Sequence, residues 1–241
     1  MSNKLGKAKI PPLFKAERRL IALDGPDGVG KGTFGKILKG ILEKELDGKV
    51  CLTSGTRFET TKTTQRLSRV VSRTHNEIVR NRLFLLSTRI IFKEVVNPAL
   101  ADGNVVILDS STLRHLAFTY DKYGGDSDIF RDTLSMVRAG KLDYGISPGV
   151  RIILWSSPEG LMKNLSQRNN DIGDPKNIEE VEKRIKAYCH CIEIIRELPV
   201  DGEVLWIDFE NPPLHCEEIE KTLSNRIKKD ILPMIMNYFS F

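Results

Sequence analysis

The run Gly25-Pro26-Asp27-Gly28-Val29-Gly30-Lys31-Gly32-Thr33 constrains this chain more than any other feature. Before it stands a short apolar segment, Leu20-Ile21-Ala22-Leu23, closing on Asp24. After it, Phe34, Ile37, Leu38, Ile41 and Leu42 recur at helical spacing. A buried strand, a glycine-rich turn and an amphipathic helix in that order build one parallel strand and its crossover. Glycines in such a turn let successive backbone N–H groups point inward around an anion, and the helix behind adds the positive end of its dipole.

The alternation continues to the end of the chain. Asp47-Gly48 closes the first helix and opens a strand at Val50-Cys51-Leu52. Polar, threonine-rich sequence leads to a long helical region from about His75 to Leu100, which Gly103 stops before the strand Val105 to Leu108 ends on Asp109. Val150 to Trp155 reads as a strand, and Ser156 with Glu159 as a capping box around Pro158. Ile178, Val181, Ile185, Tyr188, Ile192 and Ile195 mark a helix, Val204 to Ile207 a last strand, and Ile219, Leu223, Ile227 and Ile231 a C-terminal helix. The pattern predicts a three-layer α/β/α fold with a five-stranded parallel sheet and helices on both faces. No repeat or linker divides it, so residues 19–241 are expected to form one domain behind a basic, flexible arm over residues 1–18.

Composition narrows the function classes. No run approaches the roughly 20 apolar residues that a membrane-spanning helix needs, and mean hydropathy is −0.25. The net charge of +5, from 37 basic and 32 acidic residues, is a mild excess that suits any phosphate ester. Lys4, Lys7, Lys9, Lys15, Arg18 and Arg19 stand in the stretch Met1 to Arg19 against Glu17, which does not provide the clustered basic face with interleaved aromatics that nucleic acid requires, so no nucleic-acid role is expected. The arm also lacks the apolar core of a signal peptide. Cys51, Cys189, Cys191 and Cys216 are irregularly spaced and suit reduced thiols. Cys189-His190-Cys191 lies within a helical pattern and lacks the second ligand pair that zinc usually requires. Localisation is expected to be cytoplasmic, with organelles open.

The glycine-rich turn has a more specific reading. Gly25, four residues, then Gly30-Lys31 is the spacing of a phosphate-binding P-loop. Gly25, Asp27, Gly28, Val29, Gly30, Lys31, Gly32 and Thr33 are the candidate contacts to a triphosphate, with Lys31 reaching its β- and γ-phosphates. Gly32 stands where a serine or threonine usually holds magnesium, and Thr33 is placed for the α-phosphate. Asp109, at the carboxyl end of a buried strand, is placed to orient a magnesium-bound water or an acceptor phosphate, or to cap the next helix.

Together these landmarks resemble the thymidylate kinase family from about residue 19 to residue 230. The residues that carry the resemblance are Leu23 to Lys31, Thr56-Arg57, Arg89 with Asn97-Pro98-Ala99-Leu100, Val105 to Asp109, Leu116-Ala117-Phe118, and Glu182 to Tyr188. It implies an enzyme that moves the γ-phosphate of ATP to dTMP with Mg²⁺, working as a homodimer. Lys31, Asp109 and Arg168 are then the catalytic residues, Arg168 coming from a short lid at about 167–176, with Lys163 and Lys176 behind it. Arg57, Arg89, Arg114 and Thr119 would bind the acceptor. Three positions depart from the family pattern. Asp109-Ser110-Ser111 lacks the arginine expected after the aspartate, for which Arg114 can substitute. Leu85 stands four residues before Arg89 where an aromatic stacks on thymine, and Thr119 replaces a glutamine. All three lie on the acceptor side, so a kinase for another nucleotide or nucleoside, or a nucleotide-binding paralogue acting through partners, are the alternatives.

Overall fold

The computed structural model describes residues 14–46, 49–167, 175–211 and 219–240. Five strands lie side by side in the order β2 (Val50–Ser54), β3 (Val105–Asp109), β1 (Phe14–Asp24), β4 (Ile146–Trp155) and β6 (Leu205–Glu210), all parallel. The two-residue strand β5 (Val200–Asp201) joins the sheet at Phe14 and Lys15. Leu23 pairs with Asp109, Ser54 with Asp109, and Asp24 with Ile153, so the strands finish on one edge with their polar last residues together.

Period-two alternation divides the strand side chains between two cores. Ile21, Leu23, Ile107, Ile152 and Leu154 face α1 (Lys31–Glu45) through Phe34, Leu38 and Leu42. The same face carries α9 (Ile219–Arg226) and α10 (Leu232–Phe239) through Leu223, Ile227, Ile231 and Ile235. On the other face, Leu20, Val106 and Leu108 meet α3 (Glu77–Ile91) and its extension at Ile91, Phe92, Val96 and Leu100. Ile153 meets α5 (Thr112–Tyr123), α6 (Asp128–Arg138) and α8 (Ile178–Arg196) through Leu116, Phe130, Tyr188 and Ile192. Each fully buried leucine or isoleucine contributes about 1.5–3 kcal/mol, which keeps the strand ends, and the groups they carry, in fixed register.

Two helices widen to π-turns, at Phe92–Val96 and Ile227–Ile231, each just ahead of a proline, Pro98 and Pro233. Proline has no N–H for the carbonyl four residues back, and a wider turn accommodates the missing bond. Through the first of these, α3 continues into α4 (Asn97–Ala101).

The sequence expectations need several corrections. β1 begins at Phe14, so residues 14–18 belong to the sheet and not to a flexible arm; residues 1–13 lie outside the described residues. The threonine-rich stretch read as a connection contains α2 (Lys62–Arg73), capped reciprocally by Thr61 and Thr64. A threonine does the work usually given to glutamate in that box, and the usual signature is therefore absent. The segment after β3 holds α5 and α6, and β4 starts at Ile146, before Val150. α7 (Pro158–Ser166) is capped by Ser157, whose Oγ accepts from the Gly160 amide at 3.1 Å, not by Ser156. Asp47-Gly48 and Cys216 lie outside the described residues.

Candidate active site

The turn between β1 and α1 depends on glycine where its backbone leaves the range open to other residues. Gly25 has φ +142°, and a Cβ there would lie 2.3 Å from the Leu154 carbonyl oxygen of β4. Gly30 caps α1 at φ 89° in the left-handed region and offers no side-chain acceptor, so the first-turn amides of α1 have no local cap. Lys31 is 8% exposed and donates from Nζ to the carbonyls of Gly25 at 2.8 Å and Pro26 at 3.0 Å. Burial pulls its pKa below the usual lysine value, against the opposing pull of Asp27. Two asparagines brace the loop from outside. Asn164 of α7 donates Nδ2 to the Gly28 carbonyl at 2.9 Å, and Asn211, just past β6, donates to the Val29 carbonyl.

Asp27 is the electrostatic centre of the site. Arg114 Nη2 lies 3.2 Å from its Oδ1, Arg184 Nη1 3.1 Å from its Oδ2, and Lys31 Nζ 4.0 Å away. Arg184, buried on α8, also pairs through Nε with Asp121 of α5 at 2.6 Å and lies over the Phe118 ring at 5.6 Å. Arg114 reaches on to the Thr56 hydroxyl at 3.2 Å, past the end of β2. Asp24 accepts from the amide and hydroxyl of Ser111 at 2.9 and 2.7 Å. Ser111 in turn caps α5, the helix that carries Arg114. Between them Ser110 takes φ 76°, a left-handed conformation that is uncommon for serine and aims the chain from β3 into α5. Asp109 meets Arg57 Nη2 at 3.4 Å, and its Oδ2 lies 3.7 Å from where a side chain at Gly32 would begin.

Most of the expected residues are brought together: Gly25 to Thr33, Arg57, Asp109 and Arg114 share the carboxyl edge of β1, β2 and β3. Arg89 is not among them. It is exposed and lies over the Tyr144 ring at 5.2 Å, because adjacent residues on a helix turn through about 100°. Its neighbour Thr88 is the buried one and bonds His115 Nε2 at 2.7 Å. Burial, then the nearby Arg114, lowers the His115 pKa to about 3, so the ring is neutral. Thr119 is also displaced: its hydroxyl is buried and donates to the His115 and Leu116 carbonyls of its own helix. Leu85 belongs to the core, whereas Phe84 stands against Phe58 at 5.0 Å, one residue from Arg57. Arg168 lies outside the described residues, and Lys163 and Lys176 are exposed.

Arg184, Asn164 and Asn211 were missed by sequence reasoning. For Arg184 a signal existed, since it interrupts the apolar face Val181, Tyr188, Cys191 of α8 at helical spacing. The asparagines carry no such pattern.

The sequence model of the thymidylate kinase family matches residues 23–219. The chain belongs to the thymidylate kinase family. Membership makes it a nucleoside monophosphate kinase, a nucleotide-binding phosphotransferase of the dTMP kinase kind. Among curated protein sequences none matches. Among solved structures, the thymidylate kinase of Ehrlichia chaffeensis is similar, with a TM-score of 0.59 and 14% identity over 87% of this chain and 96% of that one. At that identity the likeness speaks for the fold, a parallel sheet with helices on both faces. Among the described residues no helix is long and apolar enough to cross a membrane.

Proposed function

We propose that the protein transfers the γ-phosphoryl group of ATP to dTMP, giving dTDP. The observation that carries this reading is the cradle of Gly25 to Thr33 facing Arg57 and Arg114 across the carboxylates of Asp27 and Asp109. A loop that no Cβ could enter at Gly25, uncapped amides at the start of α1 and a buried ammonium fit a chain of phosphates. ATP supplies the phosphoryl group when bound, and Mg²⁺ neutralises oxyanion charge on it.

The protein's part is positioning and charge. Lys31 and the amides of the loop bind the donor phosphates. Asp109, whose Oδ2 lies 3.7 Å from where a side chain at position 32 would begin, would hold Mg²⁺ through water. Arg57 and Arg114 grip the acceptor phosphate, since a guanidinium fork matches phosphate geometry. Phe84, braced by Phe58, forms the wall for the base. Arg168, from the lid at 167–176, neutralises charge on the group in flight. A homodimer is proposed through α3, where Ile78, Val79 and Leu86 are exposed, and a cytoplasmic location is proposed with it.

Acceptor-dependent ADP release over a panel of nucleoside monophosphates tests the reading. Turnover highest with dTMP supports it. Another preferred acceptor replaces dTMP, and ATP binding with no acceptor-dependent turnover refutes phosphoryl transfer. Arg168→Ala should lower kcat severely with donor binding intact; equal loss of both would remove Arg168 from the mechanism.

A further inference from the structure

Away from the nucleotide cradle, a cavity of about 260 Å³ runs beneath the α5–α8 face of the sheet toward the start of β1 and β4. Its polar lining is Thr112, Asp143, Ser147, Arg151 and Arg196, with Trp206 as its aromatic wall. Arg151 lies in the middle of β4 and is 4% exposed. Only its Nη1 is engaged, by Asp24 Oδ2 at 3.4 Å and Ser111 Oγ at 3.3 Å. Nε and Nη2 have no acceptor in the described protein. These are the two donors along one edge of the guanidinium, the fork that holds an oxyanion through parallel hydrogen bonds.

Asp143 is equally buried, and among the described residues the only hydrogen bond its carboxyl group accepts from another residue comes from the Gly145 amide, 3.3 Å from Oδ1. It influences Arg151 through charge, yet the two form no ion pair within 4.0 Å. A buried cation and a buried carboxyl group face one cavity without touching, and both keep unsatisfied hydrogen-bonding capacity. Arg196 lies over the aromatic wall, 4.8 Å from the Trp206 ring centre, and Arg151 is 5.5 Å from it.

We propose that this cavity binds a small oxyanion carrying its own hydroxyl, held by the Nε–Nη2 edge of Arg151 with the hydroxyl donated to Asp143. Hydrogen phosphate and α-hydroxycarboxylates share that chemistry. Acetate has the anionic end but no donor, and Asp143 disfavours it. The site is joined to the nucleotide loop through one guanidinium, since Nη1 of Arg151 holds Asp24 at the loop's entry.

Trp206 supplies a local probe, because the chain has 2 tryptophans and Trp155→Phe leaves it alone. The full-length Trp155→Phe protein is titrated separately with inorganic phosphate, glycolate and acetate while Trp206 emission is followed. A saturable change with phosphate or glycolate, whichever is tighter naming the source, and at least a tenfold weaker response to acetate are expected. Arg151→Lys keeps the charge but removes the fork and should weaken binding about tenfold. Arg196→Ala, at an exposed position, should weaken it a few-fold in a protein whose circular dichroism is unchanged. No saturable change with either hydroxyl-bearing anion overturns the proposal, and so does a curve that is the same in both arginine variants.

Discussion

His115 makes the stability of this protein sensitive to mild acid. In the unfolded chain its imidazole takes a proton near 6.5, whereas in the fold burial holds the value to about 3. The unfolded state therefore binds more protons throughout that window, and stability is lost as pH falls through it. Between pH 7 and pH 5 this one residue costs about 2 kcal/mol, from 1.36 kcal/mol for each unit of separation. Asp143 acts in the opposite sense. Its folded pKa is raised by burial from 3.8 to about 6, so its protonated form suits the fold and acid restores stability there. Over the same interval it returns about 1 kcal/mol, which hides part of the histidine effect in the wild-type curve. His115→Gln separates the two, because glutamine fills similar space, can still bond the Thr88 hydroxyl and does not titrate. Urea unfolding of both proteins at pH 7, 6 and 5 measures the gap between them. The gap should shift by about 2 kcal/mol in favour of the variant on going to pH 5, roughly 0.7–1 M in urea midpoint. A gap that stays constant with pH would refute the buried, neutral imidazole.

Three other perturbations test the site. Arg184→Leu leaves Asp121 and Asp27 without their shared buried partner and should cost about 3 kcal/mol of stability in chemical denaturation; a change below about 0.5 kcal/mol would show that the ion pairs do not hold α8 to the loop. Gly25→Ala places a methyl group 2.3 Å from the Leu154 carbonyl oxygen at a φ that L-residues rarely adopt. Calorimetric ATP affinity should fall at least about tenfold, and wild-type affinity would mean that the loop does not need its observed path. Phe84→Ala should raise KM for the nucleoside monophosphate by about tenfold through lost stacking while KM for ATP stays constant; equal changes in both would place Phe84 outside the acceptor pocket.

The strands at Leu20 to Asp24, Val105 to Asp109 and Val150 to Trp155 were legible because burial on both faces demands apolar runs, interrupted in the third only by Arg151. The glycine-rich turn between β1 and α1 was legible because its glycines and Lys31 are neighbours in the chain. α2 was not, since Thr64 replaces the expected cap partner and the helix is nearly all polar. On α3, counting back from Arg89 selected Leu85, while the fold buries Leu85 and Thr88, sets the half-buried Phe84 against Phe58 and leaves Arg89 over Tyr144. A helix has one rotation about its axis, and packing against α5 and α6 chose it.

What the amino-acid order determined alone is therefore local: the alternation of strand and helix, the glycine-rich cradle, and the position of Asp109 at a strand end. Only the tertiary structure decided which distant charges meet, that Asp27 gathers Arg114 and Arg184, that Asn164 and Asn211 hold the loop, and that Arg151 and Asp143 line one cavity. Backbone sterics and hydrogen-bonding period act between neighbours in the chain and leave their mark on it. The pairs of Asp27 with Arg114 and Arg184 join residues that share no sequence spacing, so they exist as a pattern only after the sheet has brought its edges into register.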